Sequence, residues 1–422
     1  MKIAVLGAGV VGVTTAWHLA ADGHDVVVVD RAHAPALETS FANGGQISAS
    51  QTEPWANPGA PGLVLRWLGR EDAPLLFRLR ADPALFAWGL RFLLECLPGR
   101  TRRNTLDVLA LGLYSREALR TLRSALALDY DQQTRGILKL FEDEAALAEA
   151  AEHAHVLSAR GCRVDVLTRE QCLAVEPALA HAQVAIAGAT HARDDESGDA
   201  CKFTTALAQH CRERSVEFRF GTEIQALRCE ANVVRSLVVR ERGGHTGEFG
   251  ADAFVVCLGS YSPLLLRSAG IAIPVYPVKG YSVTVLIEDP AAAPTASITD
   301  EARKIVFSRL GDRLRVAGTA EMAGYDTSLN RVRCEAIRER ARQWFPAASR
   351  YDRVEYWAGL RPATPGNVPL IGRTRIANLF VNTGHGTLGW TLSCGSAQAL
   401  ADIVAGRRPL LDFPFLGAGR TA

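Results

Sequence analysis

An α/β fold built on a Rossmann-like dinucleotide-binding domain is predicted by three features of the sequence. The chain opens on "KIAVLGAGVVGVTTAWHLAADGHDVVVVD", an apolar run, three spaced glycines, a helix-like segment and a second apolar run. Far downstream, "GADAFVVCLGS" gives another apolar run that ends in a glycine. The chain has 422 residues, 48% of them hydrophobic and 22% charged, enough for two or three packed bodies.

The N-terminal elements follow in order. Residues 2–6 are aliphatic and rich in β-branched side chains, so they predict a short buried strand. Gly7, Gly9 and Gly12 come next in G-x-G-x-x-G spacing. Gly7 permits the tight turn, Gly9 lets backbone approach a pyrophosphate, and Gly12 lets helix and strand pack closely. Val10 and Val11 open the helix, whose free N–H groups and dipole favour negative charge. Gly23 suits the helix C-terminus. "DVVVVD" is a second buried strand, and Asp30 at its end, beside Arg31, is placed to accept hydrogen bonds from ribose hydroxyls. An acid there disfavours a 2′-phosphate, yet the motif alone does not choose between NAD and FAD.

The next segment favours FAD. "ALETSFANGGQIS", residues 36–48, is a polar loop where an NAD-binding unit would run straight into another helix. Ser40, Asn43 and Gln46 offer a hydroxyl and two amides to the second part of a long ligand, although a solvated surface loop has the same composition. Residues 216–256 read as short alternating strands with a turn at "GGHTG". The strand with Thr222 and Ile224 is expected to pass an adenine, a meander to follow, and the next strand to turn at Gly259. Near the C-terminus, "NTGHGTLGW" frames His385 with glycines ahead of a helix-like run. Gly384, Gly386, Thr387 and Leu388 would present backbone N–H groups to the electron-rich edge of a flavin. His385 reads more readily as a structural hydrogen bonder than as a catalytic base.

Together "VLGAGVVGVTTAWHLAADGHDVVVVDR", "ETSFANGGQIS", "PVKGYS", "GLRPATPGNVPLIGR" and "NTGHGTLGW" resemble the bacterial D-amino acid dehydrogenase (small subunit) family. That family lies within the D-amino acid oxidase-like and glycine oxidase-like FAD enzymes, and the similarity runs from residue 1 to about 410. It implies FAD as cofactor, a D-amino acid substrate, and hydride transfer from Cα to flavin N5. The imino acid would hydrolyse to a 2-oxo acid and ammonia, and the electrons would pass to a quinone or other acceptor. It also implies a discontinuous fold: a FAD-binding domain of residues 1–50, 198–275 and 355–422. The α+β substrate domain, built on an antiparallel sheet, takes 51–197 and 276–354, with 62–150 largely helical. Arg361, in the G-x-R-P element, is carried over as the carboxylate clamp, a task suited to the bidentate guanidinium fork. Tyr281 reads as a substrate contact or as core, and Lys279, two residues away, shares its strand face. The same clamp would serve an enzyme of imino or N-alkyl amino acids such as hydroxyproline, sarcosine or glycine. An NAD-linked enzyme and a non-catalytic dinucleotide sensor fit less of the pattern.

Other classes are disfavoured. A net charge of +2 lacks the basic excess of a nucleic-acid binder. Nine cysteines, scattered singly, suggest no disulfide framework and a reducing cytoplasm. Neither a leader peptide nor an apolar run of spanning length is apparent. No metal site is expected: His153 and His155 do not share a helix face, and Asp199 in "DDESGD" reads as a helix N-cap. Residues 54–100 mix Trp55, Trp67 and Trp88 with leucines and arginines. That composition suits a peripheral contact with the inner face of the plasma membrane, or helices that cap the substrate domain with aromatics in its core.

Overall fold

The computed structural model describes residues 1–67, 69–71, 73–78 and 80–417. Two large sheets organise them. The first has six strands in the order Leu370–Arg373, Leu379–Thr383, Ala253–Val256, Lys2–Leu6, Asp25–Val29 and Glu217–Arg219. All neighbours are parallel except the edge strand Leu370–Arg373. Its central strands are aliphatic and buried on both faces, as a covered parallel sheet requires. Helices Val10–Ala21, Ala200–Glu213 and Gly389–Val404 bury one face through Trp17, Phe203 and Leu392. The other face packs on the three-stranded meander Thr222–Glu230, Val233–Glu241 and Thr246–Phe249 through Leu237 and Phe249.

The second sheet has nine strands and is mostly antiparallel. Its main path runs Glu355–Ala363, Tyr276–Leu286, Arg313–Met322, Ile305–Leu310, Ser297–Asp300, Ile137–Phe141, Gly188–Ala192 and Val164–Thr168. Leu75–Phe77 joins alongside Arg313–Met322. Helix Arg331–Trp344 covers the back through Ile337 and Trp344. The sequence reading puts everything from residue 355 onward with the nucleotide-binding body. Instead, strand Glu355–Ala363 pairs along its length with Tyr276–Leu286, and the chain returns to the first sheet at Leu370.

The region between residues 60 and 158 carries helices Ala60–Trp67, Pro83–Glu95, Pro98–Leu126 and Glu144–Ser158, interrupted by the strands Leu75–Phe77 and Ile137–Phe141. Asp82 starts the second of these, its carboxylate accepting from the N–H groups of Ala84 and Leu85, with Pro83 in the first turn. Asp199 caps Ala200–Glu213 in the same way, as its sequence position predicts. None of the described helices is long and apolar enough to cross a membrane.

Candidate active site

A cleft of about 1030 Å³ separates the two sheets. Gly7, Gly9, Val10 and Val11 border its nucleotide end, followed by Asp30, Arg31, Ser40, Ile224 and Gly259. Two glycines there leave no room for a side chain. A Cβ on Gly7, whose φ is +110°, would meet the Cys257 carbonyl oxygen at 2.6 Å, and one on Gly12 would meet the Gly7 oxygen at 1.9 Å. Gly12 does not reach the cleft; it lets the helix close on the turn. The Asp30 carboxylate accepts from the N–H groups of Ala8 (2.6 Å) and Ala32 (2.7 Å). Burial raises its pKa and those two N–H groups oppose the rise. Ser40 Oγ accepts from the Val10 N–H at 3.0 Å, at the helix start where phosphate charge is favoured. The Arg31 guanidinium stacks 4.0 Å above the Tyr261 ring.

The polar loop bridges the two sheets. Asn43 Oδ1 accepts from Gly45 N–H at 2.9 Å, and the Gly44 carbonyl accepts from Ser308 Oγ at 2.8 Å. Gln46 Nε2 donates to Ser297 and Thr299, each at 3.0 Å. Buried Asp195 then fixes the chain behind it, accepting from Ser48 Oγ and from the N–H groups of Ala49 and Ser50. Asp195 lies in "DDESGD", where the sequence reading singles out only Asp199.

Strand pairing sets the other wall. Arg361 is opposite Val278, and Gly359 is opposite Gly280. The Arg361 guanidinium lies directly over Gly280, where a Cβ would sit 2.2 Å from Cζ. It donates to the Thr319 carbonyl at 2.8 Å, and no acid pairs with it among the described residues. Thr319 adopts φ +57° within a register shift against the Tyr276–Leu286 strand, a bulge that aims its carbonyl at the arginine. Burial, with the nearby Arg333 charge, pushes Arg361 down to about 10, so it remains cationic at neutral pH. An isolated glycine in a strand signals close approach, and Gly280 carried that signal in the sequence.

Tyr281 falls on the opposite face from Gly280 because strand side chains alternate. It is 1% exposed, packs with Trp344 and Ile337, and its hydroxyl bonds to Glu321. Its side chain belongs to that core, while Tyr281 also borders the cleft. Lys279 shares that face and is held by Asp326 at 3.2 Å. His385 borders the cleft but is 3% exposed, with Nε2 at 3.1 Å from Ser396 Oγ. Burial lowers its pKa to about 3, which keeps the ring neutral. Gly386, Thr387 and Leu388 form the turn that enters helix Gly389–Val404 and line the cleft. The Leu388 N–H is committed to the His385 carbonyl at 3.0 Å. Gly384, at φ +80°, turns away from the cleft toward Thr364 and Val275.

A neutral buried His385 has a stability consequence. An unfolded histidine titrates near 6.5, so folding stability is complete above that pH and declines as pH falls toward 3. The slope is up to about 1.4 kcal/mol per pH unit. His385→Asn should flatten that acid limb in denaturant titrations at pH 7, 6 and 5, and an unchanged slope would contradict the neutral ring.

Residues 2–403 match the family described as "FAD dependent oxidoreductase". The chain belongs to that family. Among curated relatives, the D-amino acid dehydrogenase of Dechloromonas aromatica is 53% identical over 416 residues, covering 99% of this chain and 100% of that one. The D-amino acid dehydrogenase of Paramagnetospirillum magneticum is 51% identical over 421 residues, covering 100% and 99%. Full-length identity at this level places the chain among the D-amino acid dehydrogenases of the FAD-dependent family. Among solved structures, glycine oxidase from Geobacillus kaustophilus superposes with a TM-score of 0.75 at 22% identity, covering 97% and 96%. L-proline dehydrogenase from P. horikoshii gives 0.75 at 17% identity, covering 97% and 94%. These likenesses concern the fold.

The site of this FAD-dependent oxidoreductase fits its cofactor. The Gly7 and Gly12 turn is closed to any side chain, Asp30 and Ser40 line the cleft beside it, and the cleft continues to the polar loop and the 386–388 turn.

Proposed function

We propose that this flavoenzyme oxidises the Cα–N bond of D-amino acids to imino acids, which water hydrolyses to 2-oxo acids and ammonia. The observation that carries the reading is Arg361, a charged guanidinium at the cleft over the bare Gly280 wall with a carbonyl as its protein partner. An uncompensated cation held from water is costly, and a substrate carboxylate relieves that cost through two charge-assisted bonds. Arg361 thereby fixes the substrate's Cα, and positioning of this kind supplies much of the rate in such a reaction. When bound, FAD accepts two electrons from the substrate. Neutral His385 holds the 385–388 turn through Ser396. Gly386 and Thr387 N–H groups stabilise negative charge on the cofactor edge facing them. In this reading Asp30 and Arg31 hold the adenosine end, Gly7, Gly9, Val10, Val11 and Ser40 the pyrophosphate, Ile224 the adenine, and Asn43, Gln46 and Gly259 the remainder. The FAD-binding body is then 1–50, 198–275 and the chain after residue 363; the substrate body is the rest.

The test is spectral. Purified protein should show a flavin band that D-alanine bleaches anaerobically while L-alanine does not. A colourless protein that FAD cannot reconstitute, or bleaching by the L-form alone, rules the reading out.

The reading extends to a lipid surface. Phe86, Leu90, Leu93, Leu94 and Leu97 form one exposed stripe at helical spacing on and just past Pro83–Glu95, and Arg66, Arg91, Arg102 and Arg103 are exposed around it. Trp88 points the other way, buried with its indole N–H on the Ala363 carbonyl at 2.9 Å. The same helix thus caps the core and presents an apolar face flanked by arginines, which suits anionic lipid. Leu90→Glu with Leu94→Glu removes about 3 kcal/mol or more of burial. The double variant should co-sediment with vesicles containing anionic phospholipid roughly a hundredfold less well while keeping its flavin spectrum. Equal sedimentation removes the membrane contact.

A further inference from the structure

Behind the Arg361 wall lies a second buried guanidinium that the amino-acid reaction itself does not use. Helix Arg331–Trp344 carries several arginines; Arg331 and Arg342 are exposed, whereas Arg333 is 1% exposed. Keeping a cation from water is costly unless its N–H groups find acceptors. Glu321, the buried acid on that side of the sheet, is shared by the Tyr281 hydroxyl, Arg78 and Lys279. Arg333 instead donates to three main-chain carbonyls, those of Glu71 at 2.8 Å, Ala320 at 3.0 Å and Pro74 at 3.5 Å.

Those carbonyls belong to the two segments that frame the clamp. Thr319 and Ala320 share one peptide group. Its C=O accepts from Arg361, and its N–H donates to the Pro74 carbonyl at 2.7 Å. The next carbonyl along, that of Ala320, is the one Arg333 holds. Pro74, Thr319 and Ala320 all line the cleft. A short relay thus joins the two guanidiniums through the 319–320 peptide and Pro74, and bonds in such a chain polarise one another. The relay includes a strained residue. Thr319 is β-branched and sits at φ +57°, a conformation that persists only where neighbours fix it. Arg333 fixes it from behind. Without that hold the bulge is free to relax and turn the Thr319 carbonyl off the clamp.

We propose that Arg333 is a positioning residue of the substrate site, locking the Thr319–Ala320 bulge from behind the sheet and so setting the angle at which Arg361 meets the substrate carboxylate. The proposal rests on the reading of Arg361 as the carboxylate clamp. Arg333 acts through that clamp and meets neither substrate nor cofactor. Its charge reaches Arg361 as well, because burial and Arg333 together push the clamp's pKa down to about 10.

Arg333→Met keeps the apolar stem and removes the donors, whereas Arg333→Lys keeps the charge without the fork. In the holoenzyme, Arg333→Met should raise KM for D-alanine about tenfold, the size of one lost hydrogen bond to a charged group. The anaerobic bleaching rate at saturating D-alanine should stay close to that of the unaltered enzyme, and Arg333→Lys should recover part of the loss. Two readouts separate positioning from packing. D-alaninamide has no carboxylate to clamp, so Arg333→Met should use it as well as the unaltered enzyme does. Arg333→Met should also cost less in a Thr319→Gly background, because glycine takes φ +57° without strain and leaves less to lock. An unchanged KM in Arg333→Met overturns the proposal. Equal losses with D-alanine and its amide, or strictly additive substitutions, overturn it too and make Arg333 a packing residue. Should Arg333→Met lose its flavin, Arg333→Lys decides alone: a raised KM for D-alanine with the amide unaffected supports the lock, and an unchanged KM overturns it. A fully active Arg361→Leu would overturn the clamp itself. That result is distinct from failure of the lock, in which Arg361→Leu is impaired and Arg333→Met is not.

Discussion

Arg361→Leu should lower kcat/KM for D-alanine by two to three orders of magnitude while FAD stays bound. Truncating one partner of a buried, hydrogen-bonded charge pair costs about 2–5 kcal/mol, and each 1.4 kcal/mol is tenfold. The guanidinium bears that full cost because its hydrogen bond within the protein is to a carbonyl, that of Thr319, and the Gly280 wall beneath it supplies no charge. Arg361→Lys should recover only part of the loss, since an ammonium keeps the charge without the planar fork. An amide analogue of D-alanine separates clamping from packing. It should be a poor substrate for the unaltered enzyme, and no poorer for Arg361→Leu, because the interaction is already gone from both. Thermal stability should hold or rise, as a buried cation without a carboxylate partner is removed. Flavin loss in Arg361→Leu, or a full penalty with the amide in both enzymes, would refute the clamp.

Much of this site was legible in the sequence, for reasons specific to each part. The glycine turn and Asp30 were readable because backbone geometry there admits only certain residues, and those residues are local to one another. The strand–turn–helix at 379–404 was readable on the same ground. The facing of Tyr281 was not, because its neighbour Gly280 fixes which side meets the cleft only once pairing with Gly359 is known. Strand Glu355–Ala363 escaped for a related reason: its partner lies in a distant segment, and an apolar strand reads alike in either sheet. Asp195 required the fold itself, since nothing in "DDESGD" separates a buried acid holding Ser48 and Ser50 from solvated ones. His385 drew attention through its glycines, and of those two only Gly386 lines the cleft. The Trp88 and Leu90 contrast depended on which face of one helix meets the core, a question that composition leaves open.

Gly12→Val should abolish cofactor binding while leaving the second sheet folded. The smallest added atom, Cβ, would lie 1.9 Å from the Gly7 carbonyl oxygen and 2.9 Å from its carbonyl carbon, contacts that backbone cannot relieve by a rotamer change. Helix Val10–Ala21 must therefore back away from the turn. That movement separates the Val10 N–H from Ser40 Oγ and withdraws the helix N-terminus from the phosphate position. Gly7 has no freedom to follow, because it sits at φ +110° against the Cys257 carbonyl. The measurement is thermal unfolding with and without added FAD. A ligand that binds the native state alone stabilises by RT ln(1 + [L]/Kd), about 2.7 kcal/mol at a hundredfold excess over Kd. The unaltered apoprotein should gain a Tm increase that grows with FAD concentration, and Gly12→Val should gain none. Retained far-ultraviolet dichroism distinguishes lost binding from lost folding, because the nine-stranded sheet and its Trp344-centred core do not touch this turn. A yellow Gly12→Val protein with a normal FAD-dependent Tm would mean that the turn has slack the packing does not show, and the pyrophosphate assignment would fall with it.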